Sequence, residues 1–205
     1  MKYVENIQQV AELQPDYLGF IFYEKSKRNF DGIIPELSKA IKKTGVFVNA
    51  NITFVVDKIQ KYDLHAVQLH GDETASYINE LRSQLERSRE LEIIKVFGIK
   101  EKFNFDALKP YEEVVDYFLF DTKGKERGGN GVVFNWKVLE KYNSKKPFFL
   151  SGGIGLEQLE EIHKIRKTDL PIYALDVNSK FEIKAGLKSV ENIEKFKNEV
   201  KISTI

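Results

Sequence analysis

Short apolar runs alternate with longer amphipathic stretches along the whole chain. The runs are YLGFIF (17–22), TGVFVN (44–49), HAVQLH (65–70), EIIKVF (92–97), YFLFD (117–121), PFFLS (147–151) and PIYALDV (171–177). Each is rich in aromatic or β-branched residues, and most are apolar nearly throughout. That pattern predicts strands buried on both faces of a parallel sheet. Between the runs, VENIQQVAEL (4–13), ITFVVDKIQKY (52–62), TASYINELRSQL (74–85), LEQLEEIHKI (156–165) and VENIEKFKNEV (190–200) carry apolar residues at helical spacing. Weaker helical patterns lie around 33–42, 105–111 and 136–142. The predicted order is one helix followed by seven βα units.

Strict βα alternation implies a parallel sheet flanked by helices. Regular spacing and the lack of a long crossover favour a closed barrel, a TIM (β/α)8-type fold, over an open doubly wound sheet. A barrel needs eight strands. Seven are visible, and the chain opens on a helix where a first strand is expected, so the first strand is missing from these residues. The 205 residues, 42% of them hydrophobic, suit a single domain spanning 1–205.

Composition narrows the chemistry. The net charge is +1 with acids and bases interspersed, which argues against nucleic acid as a partner and makes any phosphate site a local one. No run approaches the roughly 20 apolar residues of a membrane helix. There is no cysteine, so disulfides and thiolate metal sites are excluded within these residues. The expectation is a soluble cytoplasmic protein.

Barrel enzymes place their chemistry at the C-terminal strand ends. Here those ends carry the basic loop Lys25-Ser26-Lys27-Arg28, then Asn49, Gln68 and His70, Asp121, Ser151-Gly152-Gly153, and Asp176-Val177-Asn178-Ser179. Any buried strand must surface somewhere, which accounts for an isolated Asn49 or Gln68. The glycine-bearing loops need more. SGGIG (151–155) between a strand and a helix is either a tight turn or an anion cradle. Joined to DVNS (176–179), it favours phosphate, because phosphate sites recur after the last two barrel strands. RGGNG (127–131) supplies a third glycine-rich wall. Arg28 has the planar fork that clamps a carboxylate. His70 ends an apolar run and suits a supporting role. The three histidines show no metal-ligand spacing.

The order GFIFYEKSKR, GVFVN, VQLHGDE, KVFGI, LFDT, GGNG, FNW, LSGGI and DVNSKFE resembles phosphoribosylanthranilate isomerase of tryptophan biosynthesis, over nearly the whole chain. The resemblance implies a (β/α)8 barrel with no metal or organic cofactor, acting on a small phosphosugar as a monomer or homodimer. It implies an Amadori rearrangement of N-(5-phosphoribosyl)anthranilate to 1-(2-carboxyphenylamino)-1-deoxyribulose 5-phosphate. Asp121 inherits the general-acid role and Arg28 a contact near the anthranilate carboxylate. Gly152, Gly153, Asn178 and Ser179 inherit the phosphate, and Gln68, His70 and Gly129 join the substrate-facing set. A carboxyl in a dry barrel mouth holds its proton to higher pH, which serves an acid.

Departures accompany the matches. The family's first strand ends in Cys-Gly before a Met, and that cysteine is the general base. Met1 aligns with that Met, so the base has no counterpart in these residues. The expectation is that the natural protein carries the strand upstream of Met1; a truncated, weakly active form is the other reading. Lys180 stands where the family usually has Gly, Asn135 where Asp is usual, and Ala185 where Pro is common. Two rival functions remain: another phosphosugar barrel enzyme such as an epimerase, and a non-catalytic phosphate-binding scaffold.

Overall fold

In the computed structural model, which describes residues 1–85, 90–122 and 135–202, seven parallel strands pair in strict sequence order. They are β1 (Tyr17–Ile21), β2 (Lys42–Phe47), β3 (Ala66–Leu69), β4 (Glu92–Ile99), β5 (Tyr117–Thr122), β6 (Phe148–Leu150) and β7 (Ile172–Leu175). Strands β1 and β7 end the sheet and do not pair with each other. The sheet curls enough that their side chains meet: the Tyr17 ring and the half-exposed Tyr173 ring lie 6.4 Å apart and edge-on. The result is an incomplete barrel with one gap. At that gap the Met1 amine donates to the Gly19 carbonyl of β1 at 2.6 Å.

Strand parity sorts the residues into two layers. Ala66, Ile94, Val96, Leu119 and Phe149 form a small inner cluster, flanked by Tyr17, Tyr117 and Ala174. The alternate positions, among them Phe20, Phe47, Leu69, Phe118 and Phe120, face outward into a large core shared with the helices. Both faces of the sheet are therefore buried, which is why the strands read as apolar runs rather than alternating ones. Tyr17, Lys42 and Glu92 close the lower end: the Tyr17 hydroxyl donates to Glu92 at 2.9 Å, and Lys42 pairs with the same carboxylate at 2.5 Å.

The outer layer holds α1 (Val4–Glu12), α2 (Ile52–Tyr62), α3 (Ala75–Ser83), α4 (Leu159–Ile165) and α5 (Val190–Ile202). Asn51 and Thr74 cap α2 and α3 by accepting from the Phe54 and Tyr77 amides. No helix among the described residues is long and apolar enough to cross a membrane.

Three expected helices differ. The segment 33–42 forms no helix, and its end already belongs to β2. Pro35 removes a helical donor and biases Ile34 towards extended backbone. The segments at 105–111 and 136–141 are 3₁₀ rather than α. The first of them contains Pro110. A two-stranded hairpin, β8 (Glu182–Lys184) and β9 (Leu187–Lys188), follows β7. It turns at Gly186, whose φ of +81° is left-handed.

Candidate active site

The parity that buries Tyr117 and Leu119 inside the sheet also turns Asp121 inward, at the C-terminal end of β5. Its neighbours on β3 follow the same rule: Ala66, Gln68 and His70 lie on the inner face. Across β4, His70 Nε2 approaches Asp121 Oδ2 at 3.4 Å. The Gln68 amide nitrogen sits 3.2 Å from His70 Nδ1. With the Gln68 amide donating, Nδ1 accepts, and the ring hydrogen is then on Nε2, which faces the carboxylate. The other Asp121 oxygen accepts from the Thr122 amide at 2.8 Å. Gln68, His70 and Asp121 thus form one chain of contacts, with the carboxyl almost buried at 9% exposure.

The SGG turn borders this carboxyl. Gly152 and Gly153 have left-handed φ values of +90° and +70°. A Cβ at Gly152 would collide with the Thr122 hydroxyl, lie 2.5 Å from the Thr122 amide and reach within 3.1 Å of Asp121 Oδ1. Glycine is required there by both conformation and space. The turn therefore presents bare backbone beside Asp121.

Ser151 and Asp176 complete the rim. The Ser151 hydroxyl donates to Asp176 Oδ2 at 2.7 Å. Desolvation pushes the Asp176 pKa above the ordinary carboxylate value; the Ser151 hydrogen bond opposes this, and the charge of Asp121 adds to it. Both residues end apolar runs, yet only the structure shows that they bond each other and that Asp176 feels Asp121.

Arg28 is held from the far side of the chain. Its Nε donates to both Glu182 oxygens at 3.0 Å, and Nη2 donates to Oε2 at 2.6 Å. Glu182 is nearly buried and also accepts from the Gly186 amide at 3.0 Å and Lys188 Nζ at 3.3 Å. Burial alone would raise the Glu182 pKa; the Arg28 fork and Lys188 outweigh it and hold it below the usual range. Lys188, whose own pKa burial lowers, donates to the Asn178 carbonyl at 2.9 Å and to its Oδ1 at 2.6 Å. The Asn178 side chain is thereby oriented with its acceptor end on Lys188. Ser179 opens a 3₁₀ turn, Ser179–Phe181, directly after it.

Lys180 does not crowd this loop. It reaches sideways to Glu157 at 2.7 Å, an exposed pair, and its hydrogen bond lowers the Glu157 pKa. Asn135, in place of Asp, caps the next 3₁₀ turn by accepting from the Lys137 amide. Gly129 and the RGGNG loop lie outside the described residues.

The sequence pointed to Gln68, His70, Asp121, Gly152 and Gly153; the structure brings the first four together, with Gly153 next to Gly152 in the same turn. Asp176, Glu182 and Lys188 carry no local signal for their roles, because each acts on a residue fixed by folding.

A family model described as N-(5'-phosphoribosyl)anthranilate (PRA) isomerase matches residues 1–199. The chain belongs to this family. A phosphoribosylanthranilate isomerase of Parabacteroides distasonis is 41% identical over 204 residues, covering 96% of this chain and 88% of that relative. One from Phocaeicola vulgatus is 35% identical, covering 98% and 95%. Among solved structures, the isomerase of Thermotoga maritima superposes with a TM-score of 0.82 at 28% identity, over 98% of this chain and 95% of that one. Another phosphoribosylanthranilate isomerase was solved with reduced 1-(o-carboxyphenylamino)-1-deoxyribulose 5-phosphate; it gives 0.77 at 26% identity over 97% and 94%. Phosphoribosylanthranilate isomerases are isomerases of tryptophan biosynthesis, and their barrel is the fold seen here with seven of its strands.

Proposed function

We propose that Asp121 is the general acid of the Amadori rearrangement of N-(5-phosphoribosyl)anthranilate. The observation that carries this is its position: an inward carboxyl beside the SGG turn, with His70 at one oxygen and the Thr122 amide at the other. The reaction opens the ribose ring by protonating its ring oxygen, forming a Schiff base with the anthranilate nitrogen. Loss of the C2 proton then gives the enol that becomes the aminoketose. A single positioned proton donor is worth about 10²–10⁴ in rate. The His70 Nε2–H steadies the carboxylate left after transfer, and Gln68 keeps that tautomer in place.

The phosphate sits on the Gly152–Gly153 turn and the Asn178–Ser179 loop. Left-handed glycines let backbone N–H groups converge on an anion, and Asn178 offers donors because Lys188 occupies its acceptor end. Gly129 is proposed as part of the wall opposite. Arg28 takes the anthranilate carboxylate. Nε and Nη2 are engaged by Glu182, and Nη1 has no partner among the described residues, so it is the donor for substrate. The rotamer is set before substrate arrives, which spares the cost of ordering it. The C2 proton needs a base, a role the family resemblance gives to a cysteine that has no counterpart in these residues. The working form is a cytoplasmic monomer or homodimer.

Complementation tests the reading. The 205-residue chain, and a version extended by a Cys-containing first strand, are expressed in a tryptophan auxotroph lacking this isomerase. Rescue by the extended form is expected. Rescue by neither would favour a phosphate-binding scaffold.

A further inference from the structure

We infer that Lys95 and Glu73, a buried ion pair away from the substrate groups, are positioning residues that hold His70 against Asp121. The inference rests on the reading of Asp121 given above. Lys95 sits on β4 between inward-facing Ile94 and Val96, so its side chain points into the outer, helix-covered layer, where the parallel strands otherwise place apolar groups. The Lys95 and Glu73 side chains are only 3% and 1% exposed and lie 3.2 Å apart. Burying such a pair costs desolvation that attraction barely offsets, and apolar replacement is often neutral or stabilising. Stability alone therefore does not explain it.

Its contacts do. Lys95 Nζ donates to the Leu69 carbonyl at 3.3 Å and the Gly71 carbonyl at 2.8 Å, the two residues flanking His70. Glu73 Oε2 accepts from the Gly71 amide at 2.9 Å, and Oε1 from the Asn49 amide at 2.7 Å. Asn49 returns a bond, its Oδ1 accepting from the Asp72 amide at 2.6 Å. The packing is tight enough that a Cβ on Gly71 would collide with Asn49 and lie 2.6 Å from Glu73 Oε1. The Tyr111 hydroxyl donates to the Glu73 carbonyl at 3.2 Å and closes the far side. One charge pair thus joins β4 with the loops after β2 and β3, and the backbone on both sides of His70 hangs from it.

The test reads His70 directly. With ¹⁵N-labelled histidine, Asp121→Asn defines how the His70 ring signals change when its carboxylate partner is lost. Lys95→Met combined with Glu73→Gln removes both charges at nearly constant volume. The expected result is a folded protein whose His70 signals move as far as in Asp121→Asn while His65 and His163 stay in place. In the extended form kcat should fall about tenfold, with KM changed less than twofold. Unmoved His70 signals in the folded double variant overturn the inference and leave the role of Asp121 intact. Full turnover by Asp121→Asn would instead sink the general-acid reading. If the double variant does not fold, hydrogen exchange of the unaltered protein decides. The Asn49 and Gly71 amides should be protected like those of β3, and loop-like exchange there overturns the proposal.

Discussion

His70 Nε2 and Asp121 Oδ2 lie 3.4 Å apart at the inner mouth of the sheet, joining the ends of β3 and β5 over the top of β4. The contact exists because both residues fall on the inward parity of their strands. It makes the acid part of a supported chain that runs back to Gln68.

Gly152 is expected to be irreplaceable. Gly152→Ala forces a left-handed alanine, a cost of about 1–3 kcal/mol, and pushes its methyl group towards Asp121. Thermal unfolding should register the destabilisation. The turnover of the extended form should fall further than that of a surface glycine variant of equal stability.

Glu182→Gln removes the charge that holds Arg28. Breaking a nearly buried pair by one partner costs about 3 kcal/mol or more, reduced here to roughly 2 because Arg28 reaches solvent. The sign with pH follows from the lowered Glu182 pKa. Its stabilisation is full above the ordinary carboxylate value of about 4.3 and is lost as pH falls through the depressed folded value. Urea titrations of the two proteins should therefore differ at pH 7 and converge in strong acid.

Asp176 has the opposite sign. Its folded pKa is raised, so its contribution is favourable below the unfolded value and lost as pH rises through the folded one. Asp176→Asn keeps an acceptor for Ser151 and should unfold at a higher temperature than the parent at pH 8. The gain is on the order of 2–4 °C for each kcal/mol recovered. At pH 3 the two should agree.

Lys180→Gly restores the residue usual in the family and breaks only the exposed pair with Glu157. Such pairs are worth about 0–1 kcal/mol. Product-analogue affinity should change less than threefold; a larger change would show that Lys180 reaches the phosphate.

Much of this architecture is legible in the chain. Seven apolar runs announce seven strands, because a sheet covered on both faces needs no polar alternation. Asp121, Gly152 and Gly153 stand out because a buried strand that stops at a lone acid, or at paired glycines, has reached the rim of the sheet. The segment 33–42 misled because its apolar spacing competes with Pro35, and the backbone constraint prevails. The pairs Arg28–Glu182 and Lys95–Glu73 were invisible for a different reason. Arg28 and Glu182 are 154 positions apart, and neither has a local pattern that names its partner. Lys95 reads as an interruption of EIIKVF, and only its contacts turn the interruption into a support for His70.

The most direct test of the central claim pairs turnover with binding in one variant. In the extended form, Asp121→Asn should lower kcat by about 10²–10⁴. Affinity for reduced 1-(o-carboxyphenylamino)-1-deoxyribulose 5-phosphate should stay within about threefold of the parent. Near-parental kcat, or equal collapse of turnover and binding, would contradict the assignment of Asp121 as the proton donor.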